Sequence, residues 1–264
     1  MENSKQARDG AVRDHLNCFL TALTFLTILP IRFYGEEGKN YFFTALYYFP
    51  LVGSIIGLLV CMLLYPLSFF LPKLVVTAVA LLLFAGISGF LHFDGLSDSF
   101  DGLFSSRDRE KSLAIMRDSR IGAMGLAGVL FVMLIKFSAL ISIAPDYLFQ
   151  TVFLIPIAGR VATVVAMATQ KYARKEGGLG QLFFSAESKK AAILSLVLLF
   201  FITALITSYL VSGVLVSSVI LSVLLFGLLC KARLGGATGD TLGATCELTE
   251  MITVVVFASF FAMG

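Results

Sequence analysis

Long apolar stretches separated by short polar connections set the pattern of this chain. Segments of about 17–25 apolar residues can span a bilayer core. That test predicts spans at 43–65, 72–92, 122–142, 147–169, 191–210, 214–230 and 250–264. The last is short, and becomes a full span only when its helix begins near Asp240 with its first turns in water. An apolar run from Leu16 to Ile31, closed by Pro30 and flanked by charge, reads as an interfacial or re-entrant helix. Its leader mixes Glu2, Asp9 and Asp14 with basic residues, and no small-x-small site follows the run, which makes it a poor signal peptide. The expected fold is all-α: a polytopic integral membrane bundle of about seven transmembrane helices plus an N-terminal interfacial helix, forming one membrane-embedded domain over residues 1–264.

Composition supports that reading and removes others. Apolar residues make up 58% of the 264 residues and charged residues 14%, outside the range of a soluble domain. The four cysteines (Cys18, Cys61, Cys230, Cys246) stand singly, so neither a disulfide framework nor a zinc site is indicated. Seventeen Lys and Arg residues fall in 1–42, 93–121, 170–190 and 231–249, against only Lys73 on the other side. By the positive-inside rule the N-terminus and the three long connections are cytoplasmic. The net charge of +3 therefore carries no implication of nucleic acid. The opposite connections are short, at 66–71, 144–146 and 211–213, so function is expected on the cytoplasmic side.

The polar content there is specific. At about 100° per residue, Asp94, Asp98 and Asp101 in His92-Phe93-Asp94-Gly95-Leu96-Ser97-Asp98-Ser99-Phe100-Asp101 share an arc of about 60°. A glycine-rich segment, Leu234-Gly235-Gly236-Ala237-Thr238-Gly239-Asp240, opens a second acidic face, with Asp240, Glu247 and Glu250 within about 80°. Oxygen-only ligation by such carboxylates is the preference of Mg²⁺ or Mn²⁺. Arg117, Arg120 and Arg174 supply bidentate donors for phosphate oxygens, and Gly235, Gly236 and Gly239 permit a loop with exposed N–H groups. Metal-binding acids opposite arginines and a glycine loop are the components of phosphoryl transfer on a diphosphate.

Each of these residues also has a plainer reading. Single Asp residues near a membrane border act as helix caps, with Gly95 and Gly102 as breakers. His92 is a candidate catalytic residue, an orienter of the acids or a border residue. Arg107, Arg109 and Lys111 alternate with acids as in a solvated loop. Arg160 lies within its span and reads as a substrate-binding group or half of a buried pair. Lys136 can reach an interface by extending its stem. Gly53 and Gly57 mark close helix packing, and Tyr47, Tyr48 and Phe49 suit an interfacial belt.

Together these motifs resemble the adenosylcobinamide-GDP ribazoletransferase (cobalamin synthase) family. The resemblance is carried by Phe25–Pro30, Phe49–Gly53, His92–Gly102, Ile115–Gly122, Tyr172–Arg174 with Gly178–Gly180, and Leu234–Ala244, in that order over nearly the whole chain. Ser97 departs from it, where Ala is expected more often. The resemblance implies a single catalytic domain in the bacterial inner membrane. It also implies Mg²⁺ as cofactor, and adenosylcobinamide-GDP with α-ribazole or its 5′-phosphate as substrates, with GMP released. On this reading Asp94, Asp98, Asp101, Asp240, Glu247 and Glu250 hold metal. His92, Asp94, Arg117 and Arg120 are catalytic, while Arg174, Arg160, Gly235, Gly236 and Gly239 bind substrate. The sequence leaves a homo-oligomer open. A CDP-alcohol phosphotransferase would require Asp-Gly-x-x-Ala-Arg, and Ser97-Asp98-Ser99 stands there instead. A cation transporter would require polar residues along several spans, where little beyond Lys136 and Arg160 is found.

Overall fold

In the computed structural model, residues 2–31, 41–174, 184–185 and 187–263 are described, with side chains from Arg13 onward. The glycines at 177, 178 and 180 lie outside the described residues. The chain forms α1 (Glu2–Leu26), α2 (Phe42–Ala45), a 3₁₀ turn at Leu46–Tyr48, α3 (Phe49–Leu67), α4 (Lys73–Ile87) and α5 (Leu91–Leu103). There follow α6 (Arg109–Ile115), α7 (Ala123–Ser142), α8 (Pro145–Thr169), α9 (Glu187–Ile206), α10 (Tyr209–Leu234) and α11 (Gly239–Phe261). Among the described residues, six segments are long and apolar enough to cross a membrane, and a seventh arises if α4 and α5 count as one broken span. Large apolar side chains stay exposed on their outer faces, among them Leu58, Met62, Phe131, Ile193, Leu205 and Leu228. Lipid is the solvent such faces require.

Helix α8 is the buried centre, nearly every residue from Leu154 to Met167 being covered. Helix α3 reaches it closely because Gly53 and Gly57 carry no side chain. A Cβ at Gly53 would lie 2.7 Å from the Pro156 carbonyl oxygen, which places both glycines at the contact expected of them. Helix α11 lies against α5, α7, α8 and α10. Its start at Gly239 meets the expectation of a last helix beginning near Asp240.

Three boundaries differ from the sequence reading, the first being the N-terminal helix, which runs Glu2–Leu26 and not Leu16 to Ile31. The span expected at 72–92 stops at Ile87, and α5 departs from α4 at 89°. Gly89 (φ +60°) follows the end of α4, and the Phe90 N–H returns to the Ala85 carbonyl at 2.8 Å, a glycine-terminated stop that unbroken hydropathy conceals. The turn expected at 211–213 falls instead at 207–208, because Ser208 caps α10 by accepting the Val211 N–H. At the end of the bundle remote from the basic connections, Lys73 donates to the Ile143 carbonyl and, at 2.6 Å, to that of Ile141, which secures the C-terminal end of α7.

Candidate functional site

The site is built where α5 crosses the first turn of α11. Gly95 and Gly243 make the crossing close: a Cβ at Gly95 would lie 2.6 Å from the Asp240 carbonyl oxygen, and one at Gly243 would lie 3.2 Å from the His92 Cα. The approach brings Asp98 within electrostatic reach of Asp94, Asp101 and Asp240. Asp94 is exposed, while Asp98, Asp101 and Asp240 are half-buried. Four of the six expected carboxylates thus gather at one helix crossing.

The start of α11 is fixed locally. Thr238 and Thr241 form a reciprocal cap, the Thr241 N–H donating to Thr238 Oγ1 and the Thr238 N–H to Thr241 Oγ1 at 2.8 Å. Asp240 Oδ2 accepts from Thr238 Oγ1 at 3.2 Å and from Arg174 at 2.6 Å. A short parallel strap holds the segment after α8 against the glycine loop. In it the Ala237 N–H donates to the Lys171 carbonyl and the Ala173 N–H to the Ala237 carbonyl, both at 2.8 Å. Tyr172 sits in this strap, and burial pushes its phenol above the ordinary range.

The three glycines have separate tasks. Gly235 (φ +79°) ends α10, and its N–H is committed to the Lys231 carbonyl. Gly236 packs against the Lys171 carbonyl, where any side chain would collide. Gly239 opens α11 beneath free space, at a helix start whose first-turn N–H groups have no partner within the helix. Of the expected backbone donors, Gly239 is suitably placed; Gly235 is a correction, since its N–H is consumed by the cap.

Asp101 has a structural task as well. Its two oxygens accept the Gly122 and Gly125 N–H groups at 2.8 Å each, capping α7 and not its own helix; Gly95 and Gly102, read as breakers, lie inside α5.

Glu247 and Glu250 correct the expectation of a six-carboxylate metal site. Lys136 donates to Glu247 at 2.5 Å and to Glu250 at 2.8 Å, and Arg160 donates to Glu250 at 2.5 Å and to Ser88 Oγ at 2.7 Å. All four charged side chains are at most 4% exposed. The helical wheel shows the right face but omits depth. At 1.5 Å per residue, Glu247 and Glu250 lie about 10 and 15 Å beyond Asp240. Lys136 does not reach an interface, and Arg160 does not meet a surface ligand; each neutralises a buried acid, as burial of charge requires. His92 is also buried, within electrostatic reach of Lys136 and Arg160. The expectation that it acts on substrate at the surface is corrected accordingly.

The arginines divide in the same way. Arg174 holds Asp240, and Arg117 lines an adjoining cavity of about 770 Å³ with Arg174, Ala173 and residues 108–111, 113 and 114. Arg120 is a correction: it pairs with Asp118 two residues away, its side chain is 87% exposed, and its bonds hold the Asp118 carboxyl down at about 2. Arg109, read from sequence as an ordinary loop residue, donates to the Leu234 carbonyl at 2.6 Å and the Ala173 carbonyl at 2.9 Å. It therefore clamps α6 to the glycine loop, a role that depends on two distant carbonyls and leaves no local sequence signal. Among the described residues no three His, Cys, Asp or Glu side chains converge into a ready-made metal cage.

Known proteins resemble this chain over most of its length. The family model described as Cobalamin-5-phosphate synthase matches residues 18–258. A curated protein of Acetivibrio thermocellus named adenosylcobinamide-GDP ribazoletransferase is 34% identical over 246 residues, covering 93% of this chain and 99% of its own. Proteins of the same name from Thermoanaerobacter pseudethanolicus and Alkaliphilus metalliredigens are 35% and 36% identical, covering 93% and 89% of this chain and 98% and 92% of their own. No solved structure matches.

Proposed function

The chain belongs to the Cobalamin-5-phosphate synthase family, and from that premise we propose that it joins adenosylcobinamide-GDP to α-ribazole or its 5′-phosphate at the α5–α11 crossing. A ribazole hydroxyl oxygen bonds to the cobinamide-side phosphorus as the bond from that phosphorus to the bridging oxygen breaks. GMP leaves with the bonding pair, and the hydroxyl proton passes to solvent. The product is adenosylcobalamin or its 5′-phosphate.

The observation that carries this reading is the Arg174–Asp240 pair near Asp94 and Asp98, with Arg174 and Arg117 both lining the adjoining cavity. Arg174 is placed to take a phosphate oxygen while keeping Asp240 oriented. The Gly239 end of α11 offers N–H donors and a helix dipole to the same anion.

The donor set fits Mg²⁺, which commonly uses one or two carboxylates and completes its shell with substrate phosphates and water. One or two of Asp94, Asp98 and Asp240 would hold it, the rest of its shell coming from phosphate and water, with Asp101 supporting α7 beside them. When bound, it supplies charge neutralisation on the diphosphate and a lowered pKa for the attacking hydroxyl.

We place the site at the cytoplasmic face of a bacterial inner membrane, supported by the concentration of Lys and Arg in the connections at that end. Release of GMP from adenosylcobinamide-GDP, with and without Mg²⁺, tests the reading. Metal-dependent release supports it, and no release with either ribazole form present overturns it.

A further inference from the structure

Helix α6 presents Glu110, Leu113 and Ala114 to the cavity, and Arg117, in the turn that follows the helix, lines it as well. The spacing of three and four residues puts the first three along one helical face. The lining thus carries a carboxylate at the start of α6, an apolar middle and a guanidinium just beyond its end. A nucleoside monophosphate has the matching sequence of base, sugar and phosphate.

We propose that this cavity is the guanosine subsite and that Glu110 reads the guanine ring. The inference rests on the proposed reaction: a diphosphate held at Arg174 has one end in the cavity that Arg174 and Arg117 line, and at about 770 Å³ the cavity admits the nucleoside and not the far larger corrin. Guanine carries two adjacent donors, N1–H and the exocyclic amine, and one carboxylate accepts both in a charge-assisted pair. Adenine lacks the adjacent pair of donors. The benzimidazole ring of α-ribazole has no N–H to offer, so a carboxylate gives it nothing.

The second acid of the cavity is already committed. Asp108 caps α6 by accepting the Lys111 N–H at 2.9 Å and pairs with the Lys111 ammonium at 3.2 Å. Glu110 has no ion pair among the described residues and stands in the first turn of α6. Ala114 is exposed, and a larger side chain there occupies the cavity without disturbing the core.

The experiment pairs a direct binding measurement with turnover on the full-length protein in detergent. GDP binding is followed by calorimetry, with ADP as comparison. GMP release is followed while each substrate is varied. In E110Q, GDP binding weakens about tenfold, the loss expected of a charged hydrogen-bond pair, and the preference for GDP over ADP narrows. The KM for adenosylcobinamide-GDP rises with it, while the KM for α-ribazole 5′-phosphate stays put. Ala114→Trp abolishes GDP binding with the same substrate selectivity. Unchanged GDP binding in both variants overturns the subsite, as does a KM rise confined to the ribazole substrate; either result leaves the reaction standing. Wild-type protein that binds GDP through Glu110 but releases no GMP overturns the reaction and leaves the subsite.

Discussion

Arg174 donates to Asp240 Oδ2 across 2.6 Å, joining the segment after α8 to the first turn of α11. The contact fixes the carboxylate and brings a cation to the same point. Replacing Arg174 with Ala should lower kcat/KM for adenosylcobinamide-GDP by roughly 10²–10³-fold, the usual effect of removing one preorganised charge-stabilising donor. Arg174→Lys keeps the charge but not the planar fork, and should recover only part of the loss. Steady-state assays of GMP release provide the measurement.

The acids of α5 should separate into two kinds. Asp94→Ala removes a proposed metal ligand and should abolish turnover while the protein still inserts and keeps its Tm. Asp101→Ala removes the acceptor for the Gly122 and Gly125 N–H groups. Loss of a cap costs about 0.5–2 kcal/mol, so this variant should melt earlier. Near-normal activity in Asp94→Ala would sink the metal assignment.

The closeness of α5 and α11 can be tested with one methyl group. Gly95→Ala drives a Cβ against the Asp240 carbonyl oxygen and should cost about 1–3 kcal/mol, with activity falling as the acids move apart. Gly86→Ala is the control: its Cβ meets nothing within 4 Å, and helix propensity favours Ala by up to about 1 kcal/mol. Equal Tm values for the two variants would contradict the packing described for α5.

Lys136 sits between Glu247 and Glu250, so Lys136→Met leaves an excess buried negative charge. Breaking such a pair typically costs about 3–5 kcal/mol, seen as a lowered Tm in detergent. Adding Glu247→Gln restores neutrality and should return much of that stability. A double variant no better than the single would show that the ion pairs do not act as a balanced unit.

Arg120→Ala should change kcat/KM by less than about threefold, since its exposed pair with Asp118 contributes little. Arg117→Ala, in the cavity wall, should raise the KM for adenosylcobinamide-GDP. The Asp118 carboxyl is depressed to about 2, so the pair is fully formed above the ordinary carboxylate range. It is lost only as pH falls through about 2, and activity between pH 6 and 8 should not report on it.

Much of this protein was legible in the chain. Apolar length determined the all-α membrane bundle, because a bilayer demands that every spanning backbone group be paired within its own helix. The family motifs and the two acidic helix segments were also plain, since both are local. Tertiary structure decided which acids serve which purpose. Asp94 and Asp98 come within electrostatic reach of Asp240 because Gly95 and Gly243 let two helices approach, and Asp101 turns to cap α7. Glu247 and Glu250 share the Asp240 face on a helical wheel but lie at the depth of Lys136 and Arg160. Angle about a helix can be read from sequence; depth along it acquires meaning only from the neighbours at that level, and a buried charge goes to its counter-ion.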